Sequence, residues 1–334
     1  MQRSVLSFLV GLWRKPLARF ITSAAILALL LSMMPLSDLW DTLTQLSLGV
    51  WSTAVLVFVA AHVVGTVKWN LLINLGQRKI PFGAALRFYF AGLFANLFLP
   101  SMAGGDVIRA GMAIRHSQEK EAVILGSLLD RLLDVGALAV LIAGGVLLAP
   151  DVLASEGQSA LRWVGIVFAG AALGGLGLLL LPLPKRTPEP LARLILRARH
   201  TIRELIKRPQ RALAGFVISL FIQGTFILLN AYLAAAVGID VALPAWFLAW
   251  PLAKISAMLP ISLGGLGVRE AALAALLGRF GVSTAGAVGV GLLWQTVVLA
   301  GGALGGLFYS LSRGGSRSPS IIAVAGTAQE ELSS

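Results

Sequence analysis

The 334-residue sequence contains no cysteine, which excludes disulfides, thiolate nucleophiles and cysteine-ligated metal sites. Histidine is nearly as scarce: His62, His116 and His200 stand far apart, in no metal-binding spacing. No Gly-x4-Gly-Lys-Ser/Thr loop occurs, so ATP hydrolysed within this chain does not drive its function. No metal site and no cofactor motif is expected. Charged residues make up only 13% of the chain, against about 25% in soluble domains. What fills the chain instead is apolar, at 57% of residues, the composition of an integral membrane protein. Acidic residues number 15 against 27 basic ones, a formal net charge of +12. That balance alone would suggest nucleic acid, but the apolar content excludes such a partner, and the basic residues flank apolar runs as cytoplasmic loops do.

The fold class expected is an all-α polytopic membrane protein. Six apolar runs are long enough to span, at about residues 20–36, 50–73, 122–149, 161–183, 211–237 and 286–309. Arg3, Arg14, Lys15 and Arg19 precede the first, which reads as an uncleaved anchor with a cytoplasmic N-terminus. The stretch after it is expected to be an outer loop carrying Asp38 and Asp41, and Lys68 and Trp69 are expected near the inner boundary. Residues 185–211 hold nine Lys/Arg and two Glu, which marks the segment as cytoplasmic. Within it, 189–208 read either as a basic amphipathic helix lying on anionic headgroups or as a solvated connector. The expected organisation is a cytoplasmic N-terminus (1–16), one transmembrane domain (17–313) and a disordered cytoplasmic tail (314–334) in the cell membrane.

The most informative feature is a motif that occurs twice. Pro100-Ser-Met-Ala-Gly104-Gly105-Asp106-Val-Ile-Arg109 recurs 160 residues later as Pro260-Ile-Ser-Leu-Gly264-Gly265-Leu-Gly267-Val-Arg269. Both read Pro-x3-Gly-Gly-x3-Arg. Proline and paired glycines break helices, so Pro100, Gly104, Gly105, Pro260, Gly264, Gly265 and Gly267 mark a broken or re-entrant hairpin in each half. Three spans separate the two hairpins, so they enter from opposite faces. Residues 50–149 and 211–309 then form an inverted repeat, the usual frame of alternating access.

Charges inside apolar surroundings are candidate functional groups. Arg109 and Arg269 occupy equivalent places beyond the Gly-Gly pairs, each within the first turn or so of a helix. They hold a lipid headgroup, or they pair with acids, Arg109 with Asp106 and Arg269 with Glu270 or another carboxylate. Asp130, Arg131 and Asp134 share one span at helical spacing. Their role is proton coupling or gating, or neutralisation of Arg109 or Arg269. Lys254, between Pro251 and Pro260, is a phosphate ligand, a proton carrier or a snorkelling lysine. Asn96, Gln223, Asn230 and Gln295 are expected to hydrogen-bond between helices.

At these residues the chain resembles the lysylphosphatidylglycerol synthase transmembrane-region family. The resemblance is carried by Asn96-Leu-Phe-Leu-Pro100 with Gly104-Gly105-Asp106 and Arg109, by Asp130-Arg131-Leu-Leu, and by Leu259-Pro-Ile-Ser-Leu-Gly-Gly-Leu-Gly-Val-Arg-Glu270. It covers about residues 17–309. It implies a lipid flippase or flippase-like module, here expected without the soluble aminoacyltransferase domain, and so lipid movement rather than lysyl transfer. Two other readings stay open at this point. One is a membrane enzyme acting on a lipid-linked substrate through Asp106, Asp130 or Asp134. The other is a non-transporting partner of lipid-biosynthesis enzymes that docks through 189–208.

Overall fold

In a computed structural model of the chain, the described residues are 28–29, 31–32, 36–74, 79–99, 104–117, 119–148, 209–258, 262, 265–312 and scattered positions between 192 and 203. Most of the expected first span, the span at 161–183, almost all of the basic segment and both termini lie outside them. The described residues are helical, with no strand among them.

Four helices are long and apolar enough to cross a membrane. They are α2 (Leu48–Ile73), α5 (Lys120–Leu148), α6 (Pro209–Ala236) and α9 (Thr284–Leu311). Their 26 to 29 residues correspond to about 39–44 Å, against a hydrocarbon core of about 30 Å. They coincide with four of the six expected spans. Large side chains such as Leu56, Leu147, Phe221 and Leu307 are exposed on them, as lipid-facing positions require.

The other helices are short: α1 (Leu36–Thr44), α3 (Phe82–Ala95), α4 (Gly104–His116), α7 (Leu243–Met258) and α8 (Val268–Leu277). At 10 to 16 residues, α3, α4, α7 and α8 each extend about 15–24 Å and cannot cross singly. In both motif regions two such short helices flank the motif. The segment expected as an outer loop with Asp38 and Asp41 is instead α1. Its Leu39 packs with Ala285 and Val288 of α9, and this burial outweighs the loop-like polarity around it.

The chain forms two compact units: residues 1–60, 89–109 and 226–334, and residues 61–88 and 110–225. In the first, α9 is the organising helix because its glycines let large neighbours approach. A methyl at Gly302 would lie 2.6 Å from Leu97, and one at Gly289 would lie 2.7 Å from Thr42. Methyls at Gly301 and Gly306 would strike Phe58 and Phe94. Aromatic rings fill the rest: Trp294 lies 5.6 Å from Phe58, 5.5 Å from Phe226 and 4.9 Å from Trp250, edge to face.

In the second unit α2, α5 and α6 meet. Gly126 of α5 lies against the α2 backbone at Leu72 and Ile73, and Gly215 of α6 lies against Leu133 and Leu72. The end of α2 is fastened by Asn74, whose side chain accepts from the Ile80 N–H at 2.7 Å and donates to the Ile80 carbonyl at 3.0 Å. Arg211 donates to the Asn74 carbonyl at 3.1 Å. Orphan polar groups at a helix end are satisfied in this way.

Candidate functional site

In the first motif region, α3 unwinds through a tight turn at residues 96–99, and α4 starts at Gly104. Pro100 lies outside the described residues. Gly104 and Gly105 open α4 rather than form the break, and Arg109 falls in its second turn. The two helices run antiparallel with their backbones touching. A methyl at Gly92 would sit 2.5 Å from the Gly105 carbonyl oxygen, and one at Gly105 would strike the Gly92 carbonyl. Gly92, which the sequence reading passed over, is thus half of the contact. The Gly105 N–H donates to Asn96 Oδ1 at 2.6 Å, so a side chain of the turn caps the helix that follows.

That close approach buries Arg109, whose side chain is 4% exposed. Its guanidinium forms an ion pair with Asp106, Nη2 to Oδ1 at 3.0 Å, and lies 4.6 Å from the centre of the Tyr89 ring. Asp106 is 18% exposed and stands in the first turn of α4, where a carboxylate also favours the helix dipole.

The second motif region solves the same problem differently. Between α7 and α8, Gly265 and Gly267 take φ of +81° and +83°, a conformation reserved for glycine. Pro260 and Gly264 lie outside the described residues. The Gly267 N–H donates to Glu270 Oε2 at 2.7 Å. The other oxygen, Oε1, accepts from Arg269 Nε at 3.0 Å and Nη2 at 2.6 Å. Arg269 Nη2 also donates to Gln295 Oε1 at 3.0 Å and to the Gly291 carbonyl at 3.3 Å. Glu270 is fully buried and Arg269 is 3% exposed. Gly291 leaves room for this acid, since a methyl there would lie 2.9 Å from Glu270 Cγ.

The two arginines are equivalent in sequence and unlike in setting. Arg269 closes a clasp that ties the loop and α8 to α9, with a counter-ion sealed from solvent. Arg109 pairs with an acid that is 18% exposed.

Asp130, Arg131 and Asp134 lie on α5, in the other compact unit. Both acids pair with Lys68 of α2, which the sequence placed near a membrane boundary and the structure buries at 2% exposure. Lys68 Nζ lies 2.9 Å from Asp130 Oδ1, 2.5 Å from Asp134 Oδ1 and 3.0 Å from Ser219 Oγ of α6. Trp69 beside it is fully buried and donates to Ser127 Oγ at 3.0 Å. Arg131 is half-buried on the same helix. Three helices are thus pinned at one ammonium group, an arrangement a lone lysine in an apolar run could have signalled.

Lys254, on α7, rests its ammonium 5.0 Å from the centre of the Phe226 ring. Pro251, one turn earlier, lacks the N–H that would pair with the Phe247 carbonyl. Of the four amides expected to bridge helices, Asn96 and Gln295 do so. Asn230 instead donates to the Phe226 carbonyl of its own helix at 2.9 Å, because its backbone neighbour is the nearest acceptor.

A comparison with curated proteins finds no match. Comparison with protein families matches residues 16–306 to the lysylphosphatidylglycerol synthase TM region. That match takes in both motif regions, the Lys68 cluster, three of the long helices and most of α9, so the chain belongs to the lysylphosphatidylglycerol synthase transmembrane-region family.

Proposed function

We propose that this protein moves a lipid with a polar or anionic headgroup between the leaflets of the cell membrane, and that Arg109 is its exchangeable headgroup contact. The observation that carries this reading is the pairing of Arg109 with Asp106, buried on one side and 18% exposed on the other. A guanidinium paired with a carboxylate that is itself partly exposed can exchange it for another oxyanion, and a phosphate fits that fork. Tyr89 keeps the guanidinium in position during the exchange. Arg269 has no such freedom, since Glu270 is sealed and serves the loop as well. We assign it the task of holding the second break closed. Family membership supports a lipid-related role, and short helices broken in apolar surroundings are the usual framework of transporter sites.

In this reading the chain has about six spans, its 50–149 and 211–309 segments are inverted repeats, and both termini are cytoplasmic, as the distribution of Lys and Arg supports. No catalytic step is assigned to it. Its partners are membrane lipids, supplied by lipid-biosynthesis enzymes. The test is a proteoliposome assay in which an impermeant quencher reports how fast headgroup-labelled lipid crosses the bilayer. Faster crossing than in protein-free liposomes is expected. Equal rates for every phospholipid offered would reject transport.

A further inference from the structure

Arg87 takes no part in either helix break or in the Lys68 cluster. It lies in the stretch of α3 that belongs to the second compact unit, half-buried, with Ala85 and Phe88 beside it buried. Its Nε is sealed from solvent without a hydrogen-bond partner, and among the described residues its guanidinium makes no ion pair or ring contact. A charge in an apolar membrane helix is ordinarily paired, or it marks the path of a charged ligand. Arg87 has no such pair, which leaves an anion from outside the protein to complete it.

The start of α3 narrows the choice of anion. Arg87 stands five positions after Phe82, the first residue of the helix, or about 7–8 Å along it. A helical side chain leans back over the turn before it, here the turn of Gly83, which shares its face. That space is open, since a methyl at Gly83 would meet nothing within 4 Å. The guanidinium therefore reaches toward the level at which α3 begins. The first turn carries no acid, so the positive end of the helix dipole adds to the charge instead of being cancelled. Lys79, just before the helix, is exposed and adds to the attraction. Phe82 is exposed as well, an apolar surface beside the open face.

We infer that Arg87 binds the headgroup phosphate of an anionic phospholipid in the leaflet where α3 begins. Nε–H and one Nη–H donate as a fork to two phosphate oxygens, and Phe82 offers the acyl chains an apolar neighbour. A free anion would satisfy the fork and leave Phe82 in water. In the topology proposed above, that leaflet is the cytoplasmic one. The contact gathers lipid at the membrane surface, apart from Arg109, and rests on the lipid-transport reading only for that purpose.

The experiment is calorimetric titration of the full chain in neutral detergent, with Arg109→Gln present throughout so that Arg109 adds nothing to the binding read. The probes are dihexanoyl phosphatidylglycerol, dihexanoyl phosphatidylcholine, whose phosphate is balanced by its own cation, and glycerol 3-phosphate, which has no chains. Melting is recorded alongside. Phosphatidylglycerol should bind about tenfold tighter than either other probe. Arg87→Gln should weaken it about tenfold without lowering the melting temperature. Arg87→Lys keeps the charge, loses the fork and should fall between. Phosphatidylglycerol bound as tightly after Arg87→Gln as before would overturn the inference, as would no binding to the parent chain. Equal affinity for glycerol 3-phosphate would overturn it too, because the site would then serve a free anion. So would a lower melting temperature in both Arg87 variants, since the arginine would then be holding the protein together. Lipid crossing in proteoliposomes of the wild type tests the transport reading by itself, so the failure of one is distinct from the failure of the other.

Discussion

Replacing Lys68 by methionine keeps the length of the side chain and removes its charge. The ammonium serves Asp130, Asp134 and Ser219 at 2.9, 2.5 and 3.0 Å, and both lysine and Asp130 side chains are at most 3% exposed. Removal leaves a buried carboxylate without its counter-ion, a change that costs about 3–5 kcal/mol in protein interiors. For folding units of this size each kcal/mol lowers the melting temperature by about 2–4 °C, so a fall of roughly 6–20 °C is expected. Intrinsic tryptophan fluorescence of the detergent-purified protein, heated at a fixed rate, would read it. The cost belongs to the unpaired charge rather than to the lost contact, so the electrically neutral combination Lys68→Met, Asp130→Asn, Asp134→Asn should recover most of the loss. Melting of Lys68→Met within about 2 °C of the wild type would refute this reasoning. Failure of the triple variant to recover would mean that the acids do something other than balance the lysine.

Three further outcomes follow from the two helix breaks. Glu270→Gln leaves the Gly267 N–H an acceptor but strips Arg269 of its sealed counter-ion, and about 3–5 kcal/mol of stability should go with it, read as loss of monodisperse protein on gel filtration. Gly105→Ala drives a methyl into the Gly92 carbonyl and the Asn96 side chain; about 1–3 kcal/mol of destabilisation should appear in thermal melting, whereas Gly83→Ala, where a methyl meets nothing within 4 Å, should be neutral. Asn96→Ala removes the acceptor at the start of α4 and should cost about 0.5–2 kcal/mol, visible as faster hydrogen exchange at residues 104–107.

Much of this was legible in the sequence because hydropathy reports helix length directly. The four described spans end within a few residues of where the apolar runs end, and short helices lie on either side of each copy of the repeated motif. What sequence could not supply was which groups meet across helices. Lys68 sits five residues from the end of α2, a place where lysines often snorkel, and only the packing of α5 and α6 onto α2 gives it two carboxylates. The motif itself misled in one respect. Matching Arg109 with Arg269 suggested matching roles, yet Asp106 lies one turn before its arginine and Glu270 immediately after, and that offset gives one open pair and one sealed clasp. Gly92 carries no signal of its own, since its value depends on Gly105 lying opposite. α1 was missed for a similar reason: Leu39 makes it a helix only because Ala285 and Val288 are there to cover it.

The central claim is the division of labour between the two arginines, and lipid crossing rates of Arg109→Gln and Arg269→Gln in proteoliposomes test it most directly. Melting temperatures of both variants belong in the same experiment. The account predicts that Arg109→Gln stays folded, melts close to the wild type and crosses lipid at least tenfold more slowly, whereas Arg269→Gln loses stability first and keeps its rate in whatever fraction remains folded. A folded Arg109→Gln that moves lipid as fast as the wild type would contradict it.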